Sequence, residues 1–403
     1  MPITPFGDDD FRGALADVLG GARRGASDVG EALATAARIE DGDADAWVLE
    51  WVATAGAAWA AAGAATEAGR RVSARAHLLR AATYYATALR LIDRSAEAGR
   101  RLELWRRQRA CWDRAAALFP VPAQQLAIPY AGTTLPGYFF AAPGAAPGEP
   151  RPLVVMSNGA DAATSQMWAL GGAAAAERGY HWMTYDGPGQ QAAWLEQGLL
   201  LRPDWDAVLT PVLDAMIART DVDGARIAVI GVGEGGFWVP RALASERRPV
   251  AAVADPGVVD VSAAWTARLA EPMAAFLRTG AEAAFERELR LLALFDPAAA
   301  AALRARAAPY GAGLAAVARD YRLGDLAAAI TTPLLVTGAD GETRWPGQSQ
   351  ALYERLPGEK ALADLGAGGA VPRETAIFDW LDRRLADGQS SWRAVTPRFC
   401  MAR

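Results

Sequence analysis

The chain has 403 residues, of which 52% are hydrophobic and 22% charged, and its formal net charge is -5. This composition is that of an ordinary soluble protein with one large or two medium domains, and the acidic balance without a concentrated basic patch argues against nucleic-acid binding. No segment has about 18 uninterrupted strongly apolar residues and the first residues lack signal-peptide character, so we predict neither a membrane span nor secretion.

Few residue types are available for chemistry. The chain has a single lysine, Lys360, two histidines, His77 and His181, and two cysteines, Cys111 and Cys400. One lysine argues against pyridoxal phosphate, and the scattered histidines and cysteines are too few for a clustered metal site. We therefore predict no cofactor and no metal. Two distant cysteines suit a reducing cytosol, which predicts a cytoplasmic protein whose acids and bases are carboxylates and tyrosines.

Residues 1–120 predict a helical domain. Apolar residues recur there at helical spacing, and glycine and proline are almost absent between Thr66 and Leu118. Tryptophans such as Trp47 and Trp51 lie on helix faces of this pattern. We interpret them as core residues and not as a ligand-binding box, because apolar residues at this spacing usually face the core. An additional helical domain also favours a homodimer.

After Phe119 the pattern changes to alternating strands and helices. Residues 125–140 are typical of a β-hairpin, and the further strands are predicted at 153–157, 180–185, 227–232, 250–254, 333–337 and 361–365. The alternation predicts an α/β fold with a mostly parallel sheet and helices on both faces. The predicted core consists of residues 121–257 and 329–388, with a helical cap at 258–328 and a tail at 389–403.

The segment most informative about chemistry covers residues 226–238, a buried strand followed by a glycine-rich turn and a helix. This is the frame of the nucleophile elbow G-x-S-x-G, written here as Gly231-Val232-Gly233-Glu234-Gly235. Glycine occupies the position of the nucleophilic serine. Because glycine has no hydroxyl to activate, serine hydrolysis at Gly233 is chemically excluded.

Four further motifs lie in order between the predicted strands. They are Asn158-Gly159-Ala160-Asp161, Tyr185-Asp186-Gly187-Pro188-Gly189-Gln190, Asp255-Pro256-Gly257 and Trp345-Pro346-Gly347. With the elbow, they make essentially the whole chain resemble α/β-hydrolases that carry an N-terminal helical domain. These include the 2,6-dihydroxypseudooxynicotine hydrolase group, the FrsA-like esterases and the fungal hydrolases that shorten polyketide pigment precursors.

The resemblance implies three catalytic positions, and this chain departs from the pattern at each. The nucleophile position is Gly233, and the acid position is Gly341, flanked by Asp340 and Glu342. A shifted alignment would place Asp340 at the acid position. The histidine loop reads Gly366-Ala367-Gly368-Gly369-Ala370-Val371, without histidine. Three absences together indicate a natural departure from hydrolysis.

The oxyanion hole that the resemblance implies does not need these side chains. It consists of the backbone N–H of Glu234 and one N–H from the loop after the third strand, at Ala160 or Asp161. Such a hole stabilises an enolate as well as a tetrahedral intermediate. The resemblance therefore implies a small-molecule carbonyl ligand of polyketide-like character.

Three carboxylates are the candidate catalytic groups, and each has a structural alternative. Glu234 either acts as a general base or points away from the pocket, and Asp255 either lines the sheet edge or caps a turn. Asp161 either serves catalysis by orienting the oxyanion loop, which follows the third strand, or has only a structural role. We interpret Asp186 as a turn residue and His181 as a core residue.

The predicted substrate-binding residues lie on segments that border the cleft in this fold. They are Trp238, Trp168, Trp194, Trp345, Asp340 and Arg344, and the cap adds Trp265, Met273, Phe276 and Tyr310. Tryptophan rings would stack on a planar substrate. The alternatives are that these rings pack helices onto the sheet, and that Asp340, Glu342 and Arg344 form an ion pair.

Three functional hypotheses follow. The first is a cofactor-independent, non-hydrolytic enzyme, a cyclase, dehydratase, isomerase or lyase of secondary metabolism. The second is a catalytically inactive pseudo-hydrolase that binds a small molecule or serves as a scaffold. The third is a residual hydrolase with a relocated nucleophile such as Ser157, which no histidine is placed to activate.

Overall fold

The computed structural model describes residues 5–160, 162–266, 269–339, 342–365 and 370–386. In these ranges an N-terminal group of helices packs against an eight-stranded sheet, and a helical insertion interrupts the sheet between its sixth and seventh strands. The predicted fold class is confirmed.

The N-terminal helices begin at aspartate caps where the chain supplies them. Asp8, Asp28 and Asp43 each accept a hydrogen bond from a backbone N–H in the first turn of the helix that follows. The helices are α1 (Asp9–Gly21), α2 (Val29–Ala36), α3 (Ala44–Glu67), α4 (Arg71–Arg90) and α5 (Arg101–Ala116). Trp47 and Trp51 are fully buried, as the sequence predicted.

Helix α3 is the one helix of the described ranges whose length and composition would allow it to cross a membrane. Its most apolar window has a mean hydropathy of 1.2, and 33% of that window is buried within the protein. Core helices of soluble proteins meet the same criterion. The finding is therefore weak evidence for a membrane span.

The sheet has the strand order β1-β2-β4-β3-β5-β6-β7-β8. The strands are β1 (Gln124–Tyr130), β2 (Thr133–Phe140), β3 (Arg151–Ser157), β4 (His181–Tyr185), β5 (Val222–Val232), β6 (Ala251–Asp255), β7 (Leu334–Gly338) and β8 (Lys360–Asp364). The β1–β2 hairpin and the β2–β4 pair are antiparallel, and all other pairs are parallel. Strand β5 begins five residues before the predicted Ile227, because Val222 pairs with Arg151 beyond a register shift.

Helices cover both faces of the sheet. They are α6 (Ala173–Glu177), α7 (Gln191–Leu195), α8 (Asp206–Ile217), α9 (Gly235–Leu243), α15 (Gln348–Arg355) and α16 (Ala370–Leu385). Alternate residues of a strand point to opposite faces, and here both faces are apolar. Met156 and Ile230 face the N-terminal helices and α16, whereas Val155 and Val229 face α8, α9 and the insertion.

The insertion between β6 and β7 is helical, apart from an isolated bridge between Asp260 and Arg322. Its helices are α10 (Ala263–Thr266), α11 (Glu271–Thr279), α12 (Glu282–Phe295), α13 (Pro297–Ala307) and α14 (Leu314–Asp320). It lies on the same side of the sheet as the elbow helix α9. Tyr310, which follows α13, donates a hydrogen bond to Glu234 at the start of α9, so the cap covers the C-terminal end of β5, where the elbow begins.

Candidate active site

The elbow has the strand-turn-helix geometry that the sequence predicted. Gly233 lies between β5 and α9 with a φ of +62°, a left-handed conformation that favours glycine. A Cβ atom built on Gly233 would meet no atom within 4 Å. The position of the nucleophile is therefore open space, and the backbone there has a positive φ at a sharp strand-to-helix turn.

The neighbouring elbow glycines are needed for a different reason. A Cβ on Gly231 would lie 2.0 Å from the carbonyl oxygen of Gly235, and one on Gly236 would lie 1.8 Å from that of Pro256. These contacts are far shorter than any real Cβ contact, so only glycine allows α9 to approach the sheet this closely. Gly233 differs from both because its surroundings leave room for a side chain.

Glu234 points toward the predicted oxyanion loop. Its Oε2 accepts a hydrogen bond from the backbone N–H of Ala160 at 3.2 Å, and its Oε1 accepts one from the hydroxyl of Tyr310 at 3.3 Å. The residue is only 6% exposed. The structure thus brings together Glu234 and Ala160, which the sequence assigned to one site, and adds a hydroxyl from the cap. Asp161, the third predicted member, lies outside the described residues.

The loop that follows β4 holds the oxyanion loop in place through hydrogen bonds. Gln190 donates from Nε2 to the carbonyl oxygen of Asn158 at 2.6 Å and accepts from the N–H of Gly187 at 2.7 Å. Asn158 in turn donates from Nδ2 to the carbonyl oxygen of Ala162 at 2.8 Å. These bonds fix the backbone on both sides of Ala160, so the amide that faces Glu234 is preorganised.

Asp186 connects this loop to the N-terminal helices. Its buried carboxylate forms an ion pair with Arg109 of α5 and accepts a hydrogen bond from the N–H of Ala192. Burial raises the pKa of Asp186 above its ordinary value, and the adjacent guanidinium acts in the opposite direction. Arg109 also donates to the hydroxyl of Tyr138 at 2.9 Å. Asp186 therefore does more than stabilise its own turn, since it ties the helical region to the site.

Asp255 lies beside the elbow, and both of its carboxylate oxygens have partners. One accepts from the hydroxyl of Thr337, and the other accepts from the guanidinium of Arg373 on α16. Its backbone carbonyl accepts a hydrogen bond from the N–H of Gly233 at 2.8 Å. The Asp255 carboxylate is thus fixed by an ion pair that joins α16 to the end of β6.

A row of packed rings, the aromatic cluster, leads from the core to Glu234. It consists of Trp205, Trp238, Tyr321, Tyr310 and Trp265. Trp238 is fully buried and stacks on Trp205 with ring centroids 4.9 Å apart. This placement matches the alternative in which Trp238 packs α9 into the core. Tyr310 connects the cluster to the carboxylate of Glu234.

The other predicted substrate-binding tryptophans do not meet at the elbow. Trp168 faces the N-terminal helices, where its Nε1 donates to the carbonyl oxygen of Arg24 at 3.0 Å. Trp345 is buried and donates to the carbonyl oxygen of Val261 at 3.2 Å, with the guanidinium of Arg344 stacked 4.9 Å from its ring centroid. Trp194 is half-buried on α7.

The loop after β7, where the resemblance implies the catalytic acid, is held by hydrogen bonds between a carboxylate side chain and backbone N–H groups. Glu342 accepts hydrogen bonds from the N–H groups of Arg344 and Trp345 at 2.7 and 3.2 Å. Asp340 lies outside the described residues, as do Gly341 and residues 366–369, which belong to the loop where the resemblance implies a histidine. The predicted ion pair among Asp340, Glu342 and Arg344 stays a prediction.

Ser157, the candidate for a relocated nucleophile, is buried at the end of β3. Its hydroxyl lies 3.2 Å from that of Tyr185, which also accepts a hydrogen bond from Trp205. His181 pairs with Leu153 in the sheet, so it lies four residues, or about 13 Å, back along the strands. Both nitrogens of His181 bond backbone groups, of Ala142 and Asp221. The core interpretation of His181 is confirmed, and it cannot activate Ser157.

Three side chains of this region were not identified from sequence. Arg109 and Arg373 come from helices far away in the chain, and Tyr321 follows α14. Arginines are common in this sequence, so no local signal distinguishes these two. Among the described residues, no group of three or more His, Cys, Asp or Glu side chains could hold a metal ion.

The chain is similar to several known proteins. A family model described as "Esterase FrsA-like" matches residues 33–264, which is more than half of the chain. Hydrolase acrC of Aspergillus aculeatus is 32% identical over 255 residues, covering 59% of this chain and 60% of that protein. Hydrolase LUC6 of a Fusarium species is 34% identical over 236 residues, covering 57% and 56%. The matches thus span about 60% of the length of these curated relatives.

Two solved structures show the same fold over most of the chain. The crystal structure of 2,6-dihydroxy-pseudo-oxynicotine hydrolase superposes with a TM-score of 0.68 and 19% identity, covering 91% of this chain and 96% of that one. The structure titled AbyA5 Wildtype superposes with a TM-score of 0.58 and 20% identity, covering 88% of each chain. At these identities the likeness establishes the architecture.

Proposed function

Because this chain belongs to the FrsA-like esterase family and has glycine at its nucleophile position, we propose that it is a cofactor-independent, non-hydrolytic enzyme that acts on carbonyl compounds. The reaction classes that suit the site are cyclisation, dehydration, isomerisation and lyase-type cleavage. Each can proceed through an enolate, and none requires a serine nucleophile.

One observation carries this proposal, namely the contact between the carboxylate of Glu234 and the amide of Ala160. A carboxylate can remove a proton from the carbon next to a carbonyl group, and a fixed backbone N–H can stabilise the oxygen that becomes negative. The two groups needed for enolate formation thus lie within hydrogen-bond distance of each other. The open space at Gly233 leaves room for a substrate atom near them.

The substrate class rests on the family resemblance. The FrsA-like relatives from Aspergillus and Fusarium are named hydrolases, and the resemblance to pigment-shortening enzymes favours a conjugated, polyketide-like carbonyl compound of secondary metabolism. A cytoplasmic location and a homodimer are part of the same proposal. The apolar cap above the elbow, with Trp265 and Tyr310, suits such a substrate better than it suits a highly charged one.

A binding protein without catalytic activity is the second candidate. It is favoured by the pairing of Asp255, because both oxygens of this candidate catalytic carboxylate are engaged by Thr337 and Arg373. In such a protein Glu234 would only orient the ligand. Turnover separates the two candidates, because a binding protein would not convert its ligand.

Exchange of α-protons in D2O tests the enzyme hypothesis without knowledge of the natural substrate. A panel of aryl ketones, beginning with propiophenone, would be followed by proton NMR. We expect exchange above the buffer rate, with a loss of about 100-fold or more in Glu234→Gln. Glu282→Gln, a change of an exposed cap carboxylate, is the control and should exchange normally. Binding of a panel ketone without any exchange would favour the binding protein. Labelling by a fluorophosphonate probe would contradict the non-hydrolytic assignment.

A further inference from the structure

We propose that the carboxylate of Glu234 occupies the place of the substrate's oxygen before the substrate binds, and that Tyr310 is a donor of the oxyanion site in addition to the backbone amides. On binding, the carbonyl oxygen of the substrate would take over the donors Ala160 N–H and Tyr310 O–H, and the displaced carboxylate would become the base. The inference rests on the proposed function for the identity of the reactive group.

The geometry of the two donors supports this assignment. They reach different oxygens of one carboxylate, Ala160 from the core at 3.2 Å and Tyr310 from the cap at 3.3 Å. A backbone amide of the oxyanion loop and a tyrosine hydroxyl thus converge on a single anionic group. An oxyanion site likewise directs neutral donors at an anionic acceptor, and a substrate oxygen placed between the positions of the two carboxylate oxygens would face both donors.

Burial explains why the carboxylate turns inward in the absence of a ligand. Tyr310 is 5% exposed and Glu234 is 6% exposed, so water has little access to these groups. A buried N–H or O–H without an acceptor is costly, and the carboxylate supplies an acceptor to both donors. A substrate oxygen can replace it only if that oxygen is also a strong acceptor. This requirement selects enolisable carbonyl compounds and small carboxylates over simple hydrocarbons or cations.

The position of Tyr310 is set by its neighbours, which makes it a rigid donor. Its ring packs edge-on against Trp265 and Tyr321, with ring centroids 5.3 and 4.9 Å away. Edge-to-face contacts of this kind fix the direction of a ring. The hydroxyl of Tyr310 is therefore held in a fixed position and is directed at Glu234.

The displacement couples binding to chemistry. A carboxylate that loses hydrogen-bond donors becomes a stronger base. Glu234 would then remove the α-proton of the bound carbonyl compound. In this step the C–H bond breaks, the proton moves to Glu234, and the electron pair forms the C=C bond of an enolate. The negative charge on the enolate oxygen is held by Ala160 and Tyr310.

Benzoate binding measured by calorimetry tests the inference, because benzoate carries an anionic acceptor and cannot react. In wild type it must compete with Glu234, whereas Glu234→Ala removes both the competitor and a like charge. We expect about tenfold or greater tightening in Glu234→Ala, and in Glu234→Gln, which keeps the side-chain volume. Adding Tyr310→Phe to Glu234→Gln should weaken binding about tenfold, since only the hydroxyl is lost.

Tyr321→Phe in the same background is the matched control. It also removes one tyrosine hydroxyl from the aromatic cluster, but that hydroxyl donates to the carbonyl oxygen of Leu201 and not to Glu234. It should leave benzoate affinity within twofold of the Glu234→Gln value. Equal affinity in wild type and both Glu234 variants, or no binding to any of them, would overturn the inference. Equal weakening by Tyr310→Phe and Tyr321→Phe would overturn the role of Tyr310.

The two proposals fail in different experiments. If benzoate binds in the expected order and no ketone exchanges its α-protons, the oxyanion site stands and the proposed enzymatic function is wrong. If α-proton exchange depends on Glu234 but the Glu234 substitutions leave benzoate affinity unchanged, the enzyme hypothesis stands. The proposal that the substrate oxygen displaces the Glu234 carboxylate is then wrong.

Discussion

Loss of the Arg109 guanidinium should strongly destabilise the protein. The side chain of Arg109 is 11% exposed and that of its partner Asp186 is 0% exposed, so the substitution Arg109→Met leaves a buried carboxylate without a counter-charge. Breaking a buried ion pair from one side costs about 3–5 kcal/mol. Methionine retains much of the apolar stem, so most of this loss should be electrostatic.

The pH dependence of this loss has a definite sign. Without Arg109, the folded-state pKa of Asp186 should rise well above the value of about 3.9 that an aspartate has in an unfolded chain. A group with a raised folded pKa contributes stability that is lost as the pH rises through that pKa. Arg109→Met should therefore be more destabilised at pH 8 than at pH 5. Adding Asp186→Asn removes the unpaired charge and should make the loss nearly independent of pH.

Urea unfolding followed by tryptophan fluorescence at pH 5 and pH 8 measures both effects. Arg106→Met is the matched control on the same helix, because Arg106 and Glu196 form an exposed pair at 3.7 Å. It should cost less than about 1 kcal/mol. A loss below about 1 kcal/mol in Arg109→Met, or an equal loss at both pH values, would refute the electrostatic explanation.

Two further predictions concern the elbow and the buried histidine. Gly233→Ser should fold with an unfolding free energy lower by about 1–2 kcal/mol, because serine must adopt a left-handed φ in otherwise open space. It should stay unlabelled by a fluorophosphonate probe since no imidazole is near, and labelling would show that a base had been overlooked. Burial lowers the pKa of His181 in the folded protein. Neutral His181 should therefore contribute fully to the free energy of unfolding above about pH 6.5, and this contribution should decline at lower pH, as measured by urea unfolding. His181→Gln should weaken that decline, and an unchanged pH profile would contradict it.

Local patterns are sufficient for much of the architecture. The elbow was predictable because the end of a buried strand, a glycine-rich turn and the start of a helix lie within 13 consecutive residues, 226–238. The β1–β2 hairpin and the helical insertion follow from the same short-range signals. The absence of a serine nucleophile was equally predictable, because the sequence itself shows that residue 233 is glycine and has no hydroxyl. In each case the information lies in neighbouring residues, which share one segment of backbone.

Tertiary structure decided which side chains meet. Glu234 and Tyr310 are 76 residues apart, and Asp186 and Arg109 are 77 apart. Such contacts depend on how the cap and the N-terminal helices pack on the sheet. The spacing of apolar residues in the sequence does not predict that packing. The same holds for Trp238, whose helical spacing allows either a pocket wall or a core position. The sequence by itself determined that serine chemistry is absent from the elbow. Only the packing of the cap decided that a carboxylate, an amide and a tyrosine hydroxyl lie together there, because separate segments supply the three groups.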